Sequence, residues 1–451
     1  MSDTPSPQAF LPGPKPAVLM VLYLAIVALP VVASRLVDGI AGDWAHELGN
    51  GAGMLATTML LVQFISSGRY ESLSGKTGID RTMHFHQVTA RLLMALALMH
   101  PLLLVAPTAF DELPMAMSML QSLALLPTMR TGVVALVLLA LLVSLGIWRH
   151  RLPVGYEVWR LSHVAGALIV ASAGVHHALS VGTYSQGRAM AWLWTGMLVL
   201  ASGTVVWTYG LKPLRLARSR YEVIGNDEVA PGIRELRLLP ADGRSLAFRA
   251  GQFAWLDFGA RAIPWRDHPF SIASAPSEAP MLRFLIKARG DFTRSLAALT
   301  PGTAAHVDAP HGSFTPDGHA WKALVLIAGG IGIAPIAGIL RELDHRDERR
   351  PLRLIYAVNQ ETEAILKDEI SAIAGRLPLS VHFHADSTFP SDTAAYAALG
   401  QAFAASLERL EPAATLVMFC GPTPMLRALQ RCLADAQWPA QALVYERFDY
   451  D

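Results

Sequence analysis

The sequence has little cysteine and little charge. Its 451 residues include two cysteines, Cys420 and Cys432, too few for a disulfide framework or a cysteine-based zinc or iron–sulfur centre. Charged residues make up 16% of the chain and the formal net charge is +1, whereas soluble proteins contain about 25% charged residues. Nucleic-acid binding needs a strong positive excess, so it is not expected here. Together with a mean hydropathy of +0.35, these deficits predict a chain that lies partly in a lipid bilayer.

The N-terminal part of the chain carries the apolar residues. Residues 1–14 are polar and proline-rich, which predicts a disordered tail. Most of the apolar segments that follow are close to the roughly 20 residues needed to cross a bilayer. Lys and Arg concentrate in alternate loops and acidic residues in the others, which predicts a multi-pass protein of the plasma (inner) membrane with both termini cytoplasmic. The six segments are about 17–35, 49–66, 86–108, 131–149, 162–182 and 190–210.

Histidines stand near both ends of two of these segments. His86 and His100 are 14 residues apart, as are His163 and His177, and His176 is adjacent. A spacing of 14 returns a helical side chain to nearly the same face, about 21 Å further along the axis. Neutral imidazole is a standard axial ligand of haem iron. The pattern predicts two b-type haems, an inner one between His86 and His163 and an outer one between His100 and His176 or His177; the alternative is interfacial histidines at helix ends.

The residue pattern of the sequence changes at about residue 219. Short alternating runs punctuated by Gly and Pro predict a small antiparallel barrel. From about residue 321, strands alternate with helices, which predicts a doubly wound parallel sheet. The predicted domains are a membrane domain at 15–212, a barrel at 219–318 and an α/β domain at 319–451.

Two segments of the predicted barrel could bind a ligand. The run from His268 to Pro276 ends a strand and offers hydroxyls and backbone amides beside a proline turn, although a plain strand and turn would look the same. Gly290 precedes a helical run that Asp291 or Thr293 can cap. A helix N-terminus binds phosphate well, and an ordinary capped helix is the alternative.

Two further segments lie at strand ends in the predicted parallel sheet. Glycines 329, 330 and 332 follow a buried strand, and Pro335 then falls in the first turn of a helix. The run Cys420-Gly421-Pro422 repeats this arrangement after a later strand. Because ligands of open α/β sheets bind at the carboxyl ends of strands, the two turns should converge on one crevice.

In combination these motifs resemble those of the ferric reductase and NADPH oxidase superfamily over residues 50–451. HPFSIASAP is similar to its flavin motif, GGIGIAP to its nicotinamide pyrophosphate loop and CGPTPM to its CGP motif. The resemblance implies hydride transfer beside Cys420 and a terminal aromatic, Phe448, that stacks on the flavin. The implied FAD ligands are His268, Pro269, Phe270, Ser271 and Ser274, with the diphosphate near Gly290, Asp291, Phe292 and Thr293; those implied for NAD(P)H are Gly329, Gly330, Gly332, Pro335, Cys420, Gly421 and Pro422.

Some positions depart from the family pattern. The second apolar run lacks the Arg of animal oxidases, and Leu104 stands where they have a further His. Asn359 and Gln360 replace an Arg that often binds the 2′-phosphate, which predicts that NADH is used at least comparably to NADPH. For the outer haem, helical phase favours His177, whereas the family's frequent spacing of 13 slightly favours His176 if a π-bulge supplies the rotation.

The resemblance implies transmembrane electron transfer. NAD(P)H would reduce FAD, and single electrons would pass through the inner and outer haems to an extracytoplasmic acceptor. Oxygen, giving superoxide, is favoured over anionic ferric chelates because the predicted outer loops are acidic. The alternatives are a ferric-chelate reductase, a relay subunit that donates to a quinone or protein partner, and a transporter with a nucleotide domain. The transporter is disfavoured because the middle of each span is expected to lack charge.

Overall fold

The computed structural model describes residues 16–39, 42–66, 78–217, 220–260, 262–263, 266–386 and 393–446. The chain divides into two compact units, one formed mainly by residues 12–212 and the other mainly by residues from 213 onward. Phe448 lies outside the described residues, so its stacking on a flavin stays a prediction.

The first unit is helical, and we call it the membrane unit. Five stretches of the described residues are long and apolar enough to cross a membrane: 16–37, 81–111, 127–147, 156–181 and 188–216. The helices are α1 (Pro16–Asp38), α2 (Trp44–Gln63), α3 (Ile79–Asp111), α4 (Leu113–Leu125), α5 (Arg130–Ile147), α6 (Tyr156–Val181) and α7 (Arg188–Val206), and a π-helical turn leads into the short α8 (Lys212–Leu216).

Helix α2 is not among the five stretches, although a span was predicted there. It contains the polar residues Glu47, Asn50 and Gln63, and it packs along α3 with half of its 20 residues buried. Its polar groups face other helices rather than lipid. The structure therefore supports five of the six predicted spans by length and composition.

Helix α4 was not predicted. The sequence LPMAMSMLQSLAL lies between two expected spans, and the acidic residues Asp111 and Glu112 just before it pointed to a loop. The segment has no charged residue, and most of its 13 residues are good helix formers such as Leu, Met and Ala. Its length, about 20 Å, is too short to cross a bilayer.

One charged side chain lies well inside a span, contrary to the expectation that the middle of each span lacks charge. Arg91 stands in α3, ten residues after Arg81 where that stretch begins. Its side chain is exposed, so it points away from the interior of the unit. Because it does not line the cavity described below, it gives no support to a substrate path through the bundle.

The second unit, which we call the dehydrogenase unit, begins with an antiparallel sheet. Its strand order is β4-β3-β6-β1-β2-β5, and a single bridge between Ile272 and Phe284 links the two ends of the sheet. The inward-facing residues form one apolar core, which includes Leu238, Leu256 and Phe284. The strands are β1 (Arg220–Ala230), β2 (Ile233–Pro240), β3 (Phe253–Phe258), β4 (His268–Ser271), β5 (Leu282–Lys287) and β6 (Ala304–His311), with the short α9 (Asp291–Ser295) after β5.

The rest of the dehydrogenase unit is a parallel sheet with helices, as the alternation of strand and helix predicted. The strand order is β11-β10-β7-β8-β9, so β7 lies at the centre and is buried throughout. This places the carboxyl ends of β7 and β10 side by side. The elements are β7 (Ala323–Gly329), α10 (Ile333–His345), β8 (Leu352–Val358), α11 (Lys367–Ala374), β9 (Leu379–Ala385), α12 (Thr393–Leu407), β10 (Thr415–Cys420), α13 (Thr423–Asp435) and β11 (Leu443–Glu446).

Candidate functional site

One pair of histidines joins α3 to α6. His86 and His163 are both half-buried and close enough to interact electrostatically. The Gln63 side chain of α2 donates to the His86 carbonyl over 3.1 Å, and His163 stacks on Trp159 with 5.1 Å between ring centroids. The first contact fixes the backbone at His86, and the second orients the His163 ring.

A second pair, His100 and His177, lines a cavity of about 500 Å³, which we call the His100 cavity. The two rings are close enough to interact electrostatically. Nδ1 of His100 lies 2.7 Å from the carbonyl oxygen of Gly49. A proton on Nδ1 would donate to that carbonyl and leave Nε2 as the nitrogen with an available lone pair, the arrangement that orients metal-ligating imidazoles.

Each imidazole of this second pair packs on a glycine of a neighbouring helix. A β-carbon at Gly53 in α2 would lie 2.9 Å from Nδ1 of His100, and one at Gly132 in α5 would lie 2.6 Å from Nδ1 of His177. Any larger residue would displace the ring. The prediction from apolar segments missed these glycines, although the Gly49–Gly53 spacing of four is a known signal for close helix packing in membranes.

The structure separates His177 from His176. Nδ1 of His177 is buried without a hydrogen-bond partner among the described residues. His176 is exposed, lies outside the cavity lining, and has Nδ1 3.3 Å from Oγ1 of Thr131 and 3.4 Å from Oγ of Ser180. Because α6 is a regular α-helix from Tyr156 to Val181, it lacks the π-bulge that would have turned His176 inward. The geometry thus goes against the slight preference for His176.

These imidazole pairs fit haem better than an all-protein metal site. In the described part of the chain, no group of three or more His, Cys, Asp or Glu side chains is placed to hold a metal ion. Haem iron takes four ligands from the porphyrin and two from the protein, so a pair of imidazoles is enough. The His100 cavity is also largely apolar and within the size range of cofactor sites.

The flavin motif lies on β4, and its aromatic side chains meet Phe292. The His268 ring stacks on Phe292 with 3.9 Å between ring centroids, and Phe270 is 6.2 Å from the same ring. Pro269 pairs with Trp255 across the sheet. Ser271 is buried, and its hydroxyl has no hydrogen-bond partner within the ranges that the structure describes. Such a buried hydroxyl needs a partner, which can be an ordered water, an ion or a ligand, so Ser271 is compatible with a flavin beside β4.

Ser274 is placed differently from the rest of the motif. It is fully buried, and its hydroxyl accepts the backbone N–H of Arg283 over 3.1 Å. That hydrogen bond links the segment after β4 to β5. The structure therefore gives the Ser274 hydroxyl a partner in the protein, unlike that of Ser271.

The predicted diphosphate segment forms the start of α9. The Thr293 hydroxyl accepts the amides of Arg289 and Gly290 over 2.9 and 3.0 Å, so Thr293 caps the helix. Asp291 pairs with Arg294 at 2.5 Å. Phe292 lies in the same turn and contacts His268. The structure thus brings the two predicted flavin segments together.

The two glycine turns of the parallel sheet are in contact. A β-carbon at Gly332 would lie 2.0 Å from the carbonyl oxygen of Cys420, and one at Gly329 would lie 2.6 Å from Cδ of Pro422. Gly421 approaches the backbone of Gly329 equally closely, because a β-carbon there would lie 3.0 Å from the Gly329 Cα. Gly330 has a positive φ of 55°. Gly329, Gly332 and Gly421 allow the two backbones to come close together, and Gly330 allows the turn. These turns lie at the carboxyl ends of β7 and β10.

Pro335 and Cys420 are both buried at this edge. Pro335 is the third residue of α10, as predicted. Burial raises the pKa of the Cys420 thiol, and the nearby carboxylate of Glu446 raises it further. The thiol therefore stays protonated at neutral pH and is suited to contacting a neutral ring, not to acting as a thiolate nucleophile.

A short series of contacts connects the flavin strand with the nicotinamide edge. Ser271 pairs with Phe253 in the antiparallel sheet. A β-carbon at Gly312 would lie 2.9 Å from the Phe253 ring and 3.4 Å from Oε1 of Glu446. Glu446 is in turn the register partner of Cys420. The segments predicted to bind flavin and nicotinamide thus meet within one compact unit, and Phe253 and Gly312 are contact residues that the motifs did not reveal.

At the edge beyond β8, the nearby cations Lys367 and Lys287 are paired with Glu361 and Glu363 at 2.8 and 2.9 Å. Asn359 and Gln360 are exposed there. Arg341, considered for that role from the sequence, forms two hydrogen bonds with Glu369 at 2.5 and 2.8 Å and one with the Ala273 carbonyl. Arg353 lies near the amino end of β8 and donates to the carbonyls of residues 405 and 406. Both arginines are therefore engaged elsewhere.

Three family models match successive parts of the chain. A ferric reductase-like transmembrane component matches residues 52–174, an FAD-binding domain residues 238–320 and an oxidoreductase NAD-binding domain residues 326–431. Their order agrees with the arrangement of the membrane unit, the antiparallel sheet and the parallel sheet.

Curated relatives share part of the chain. The reductase component of propane 2-monooxygenase from Gordonia sp. (strain TY-5) is 29% identical over 237 residues, which cover 50% of this chain and 66% of that protein. A superoxide-generating NADPH oxidase heavy chain of Dictyostelium discoideum is 27% identical over 245 residues, 49% of this chain and 33% of that protein. The chain thus spans no more than about two thirds of either relative.

A solved structure, a ferredoxin NADP+ reductase from Neisseria gonorrhoeae with bound FAD and NADP, is 22% identical, covers 51% of this chain and 98% of that one, and has a TM-score of 0.42.

The three family models match parts of both units described above. The chain belongs to the ferric reductase and NADPH oxidase superfamily and is an NAD(P)H-dependent oxidoreductase with FAD-binding and NAD(P)-binding domains joined to a transmembrane domain.

Proposed function

We propose that this enzyme carries electrons from cytoplasmic NAD(P)H through FAD and two b-type haems to oxygen on the other side of the membrane, giving superoxide. The observation that carries the proposal is the His100 cavity, a largely apolar space with one imidazole from α3 and one from α6 on its walls. A second imidazole pair lies 14 residues away along both helices. Two metal-binding positions stacked along a bilayer are what transmembrane electron transfer requires.

We assign the haem ligands by helix and by phase. His86 and His163 hold the inner haem, and His100 and His177 hold the outer one. The support for His177 over His176 is its place on the cavity wall and its buried, unpaired Nδ1 among the described residues. The backbone carbonyl of Gly49 orients the His100 ring, and Gly53 and Gly132 leave the space in which the two rings lie.

In the dehydrogenase unit, we propose that His268, Pro269, Phe270 and Ser271 hold the flavin. When bound, FAD supplies the conversion of a two-electron hydride donor into a one-electron donor, and haem supplies one-electron carriers. The Ser271 hydroxyl provides a hydrogen-bonding group at the buried face of the site. Ser274 contributes by fixing the backbone after β4.

We further propose that the turns at Gly329–Gly332 and Cys420–Pro422 hold NAD(P)H. Their close contact leaves backbone amides at the carboxyl edge of the sheet, where a pyrophosphate is bound in such folds. The neutral Cys420 thiol would then lie beside the nicotinamide, and Phe448, outside the described residues, would be the aromatic side chain next to the flavin. Gly290 to Thr293 lie near the FAD diphosphate.

We propose the plasma (inner) membrane as the location, with both termini cytoplasmic and with α2 as a sixth crossing helix beside the five apolar ones. Arg149, Arg151, Lys212 and Arg215 then lie on the cytoplasmic side. At 20 residues, α2 spans about 30 Å, the thickness of the hydrocarbon core.

The choice of oxygen rests on chemistry at the outer haem. If His100 and His177 both held the haem, oxygen would need only a small space beside it and no bond to the iron. Repulsion of anionic chelates by the outer loops is weaker than the sequence suggested, because Arg35 offsets the charge of Glu47. Ferric-chelate reduction remains the second candidate, since the transmembrane domain matches a ferric reductase-like component.

The proposal is tested with purified protein. An optical spectrum of the oxidised and reduced forms should show two six-coordinate, low-spin haems and one flavin. NAD(P)H should then drive cytochrome c reduction that superoxide dismutase suppresses. If dismutase leaves the rate unchanged while ferric chelates are reduced rapidly without oxygen, the enzyme is a ferric reductase instead.

A further inference from the structure

The His100 cavity extends to the surface of the membrane unit at the level of the spans. Five of the residues that line it are exposed. Leu98 (43%) and Leu102 (53%) in α3 and Val137 (61%) in α5 lie inside stretches that are apolar enough to cross a membrane, whereas Ala124 lies in α4 and Thr183 follows α6. An opening at the depth of the first three faces hydrocarbon rather than water.

Helix α4 covers the same part of the cavity. Leu120, Leu123 and Ala124 of α4 line the cavity. The helix has no charged residue, and its exposed side chains include apolar ones as well as a polar stripe of Ser118, Gln121 and Ser122. A short helix of this kind suits one leaflet, with its apolar residues in hydrocarbon and its polar stripe toward the headgroups. The most exposed of its apolar residues are Leu113 at 62%, Met117 at 60% and Leu125 at 72%.

This exposed apolar surface is continuous with the lipid-facing surface of the spans. Leu102 of α3 and Val137 of α5 belong both to that surface and to the cavity wall. Acyl chains are therefore the partner that fits the outer side of α4. At about 20 Å the helix can lie within one leaflet, with its inner side on the cavity.

We propose that the acceptor comes from the lipid, between α3 and α5 and beside α4, to the edge of the haem that the His100 cavity would hold, and is therefore a neutral, lipid-soluble molecule. This deepens the proposed function, on which it rests for the site of electron delivery. Oxygen satisfies the requirement, because it carries no charge and dissolves in hydrocarbon. A charged ferric chelate does not, because moving a charge into the bilayer is costly.

The cavity also has a polar part that suits the product. Transfer of one electron to oxygen gives superoxide, an anion, and needs no proton; the electron comes from NAD(P)H. Asn50 lines the cavity, and its side-chain nitrogen is buried without a hydrogen-bond partner among the residues with described positions. Tyr184 lines it too, but its hydroxyl donates to Glu47, which also pairs with Arg35. The Asn50 amide is therefore the group on the cavity wall that favours a leaving anion.

The position of α4 is tested first, with a measurement that does not depend on haem. A nitroxide label is placed at Met117→Cys in a Cys432→Ser background, and the protein is reconstituted in nanodiscs of phosphatidylethanolamine and phosphatidylglycerol. The label should collide more with oxygen than with a water-soluble nickel chelate. The control is Gln186→Cys, in the exposed segment between α6 and α7, where the order should be reversed. A label at Met117 that behaves like the control would overturn the lipid placement.

Access is tested by narrowing the opening. Val137→Trp puts a bulky side chain at the opening, whereas Val134→Trp changes an equally apolar residue of α5 that is 47% exposed and outside the cavity lining. Both variants are reduced with dithionite, which bypasses NAD(P)H and FAD, and the reoxidation of the haems is followed after rapid mixing. Oxygen should reoxidise Val137→Trp at least about fivefold more slowly than Val134→Trp, while ferricyanide, a water-soluble anion, should react with both at the same rate.

Equal oxygen rates in the two variants, or equal slowing with oxygen and ferricyanide, would reject access through the lipid. If Val137→Trp does not retain haem, Leu98→Trp replaces it, with Leu92→Trp as its control on α3. Decylubiquinone separates this proposal from the choice of oxygen. Rapid, opening-dependent reoxidation by the quinone together with slow reoxidation by oxygen would keep the lipid route and reject oxygen as the acceptor.

Discussion

The two units of this enzyme place their apolar residues differently, so their functional sites are recognised from different features. In the dehydrogenase unit the apolar residues are inside: Leu324 and Ile327 of the central strand are 0% exposed. In the membrane unit apolar residues cover the outside, and Leu24 and Val137 are 57% and 61% exposed. Both units have a buried apolar core, which in the membrane unit includes Ala171 and Trp194, but apolar side chains also cover the outside of the membrane unit. In the membrane unit, the informative residues are the polar ones that face inward.

The sites also differ in what holds them. The histidines of the membrane unit stand on regular helices, so their spacing along the chain sets their spacing in space. The nucleotide sites of the dehydrogenase unit lie at strand ends, where Gly332 and Cys420 are nearly a hundred positions apart in the sequence and touch in the fold. The following changes test this difference, beginning with the largest expected effect.

Removing a histidine from the cavity wall should have the largest effect. We expect His177→Ala and His100→Ala each to lose about one of two haems and to stop electron delivery to the acceptor. His176→Ala, one position away on the same helix, is the matched control and should keep both haems, because its side chain faces outward. The measurement is haem content by pyridine haemochrome, relative to flavin. Haem loss in His176→Ala with retention in His177→Ala would reverse the assignment.

The second-largest effect is expected for a substitution where the Gly332 turn contacts the Cys420 turn. Gly332→Ala puts a methyl group 2.0 Å from the Cys420 carbonyl oxygen, so the two turns must separate. We expect NADH affinity to fall by roughly ten- to a hundredfold, or about 1–3 kcal/mol, with haem content unchanged. Gly400→Ala, where the added methyl meets nothing within 4 Å, is the control. Unchanged NADH binding in Gly332→Ala, measured by flavin reduction at increasing NADH, would place the nicotinamide elsewhere.

The difference between sites on helices and sites at strand ends also explains how much of each site could be predicted from the sequence. Helical periodicity predicted that His86 and His100 share a face, and that His163 and His177 do, because an α-helix has a fixed rotation per residue. It could not show that Gly53 and Gly132 make room for the rings, since that depends on how neighbouring helices pack. Nor could it find α4, because the acidic residues just before it suggested a loop. In the dehydrogenase unit, motif order predicted the two turns, but the contact through Phe253 and Gly312 required the fold.

A smaller effect is expected for the choice of nicotinamide cofactor. Asn359 and Gln360 are exposed at the edge of β8, and the arginines considered for a 2′-phosphate are engaged elsewhere. We expect NADH to be used at least as well as NADPH, and Gln360→Arg to improve NADPH use by about tenfold through a charged hydrogen bond. Steady-state kinetics with both cofactors measure this. A native preference for NADPH above about a hundredfold, near 3 kcal/mol, would reveal a basic pocket that the described residues do not show.

The smallest effect concerns acid stability of the dehydrogenase unit. Hydrogen bonds from Arg350, foremost from its side chain, lower the pKa of Glu348 from 4.5 to about 2. The ionised pair therefore stabilises the fold above about pH 4.5, and that stabilisation is lost as the pH falls toward 2. Because the pair is near the surface, we expect less than about 1 kcal/mol. Thermal release of flavin should be less pH-dependent in Glu348→Gln than in the exposed control Glu408→Gln; identical profiles would mean that the pair is energetically neutral.

The central claim is that electrons cross the membrane through this one chain. The most direct measurement uses proteoliposomes loaded with FAD- and haem-replete protein, with NADH added outside and cytochrome c trapped inside. Among molecules with the dehydrogenase unit outward, the trapped cytochrome c should be reduced, superoxide dismutase inside should suppress that reduction, and His100→Ala should abolish it. Reduction of the flavin by NADH with no electrons reaching the interior, in protein that contains both haems, would contradict the account.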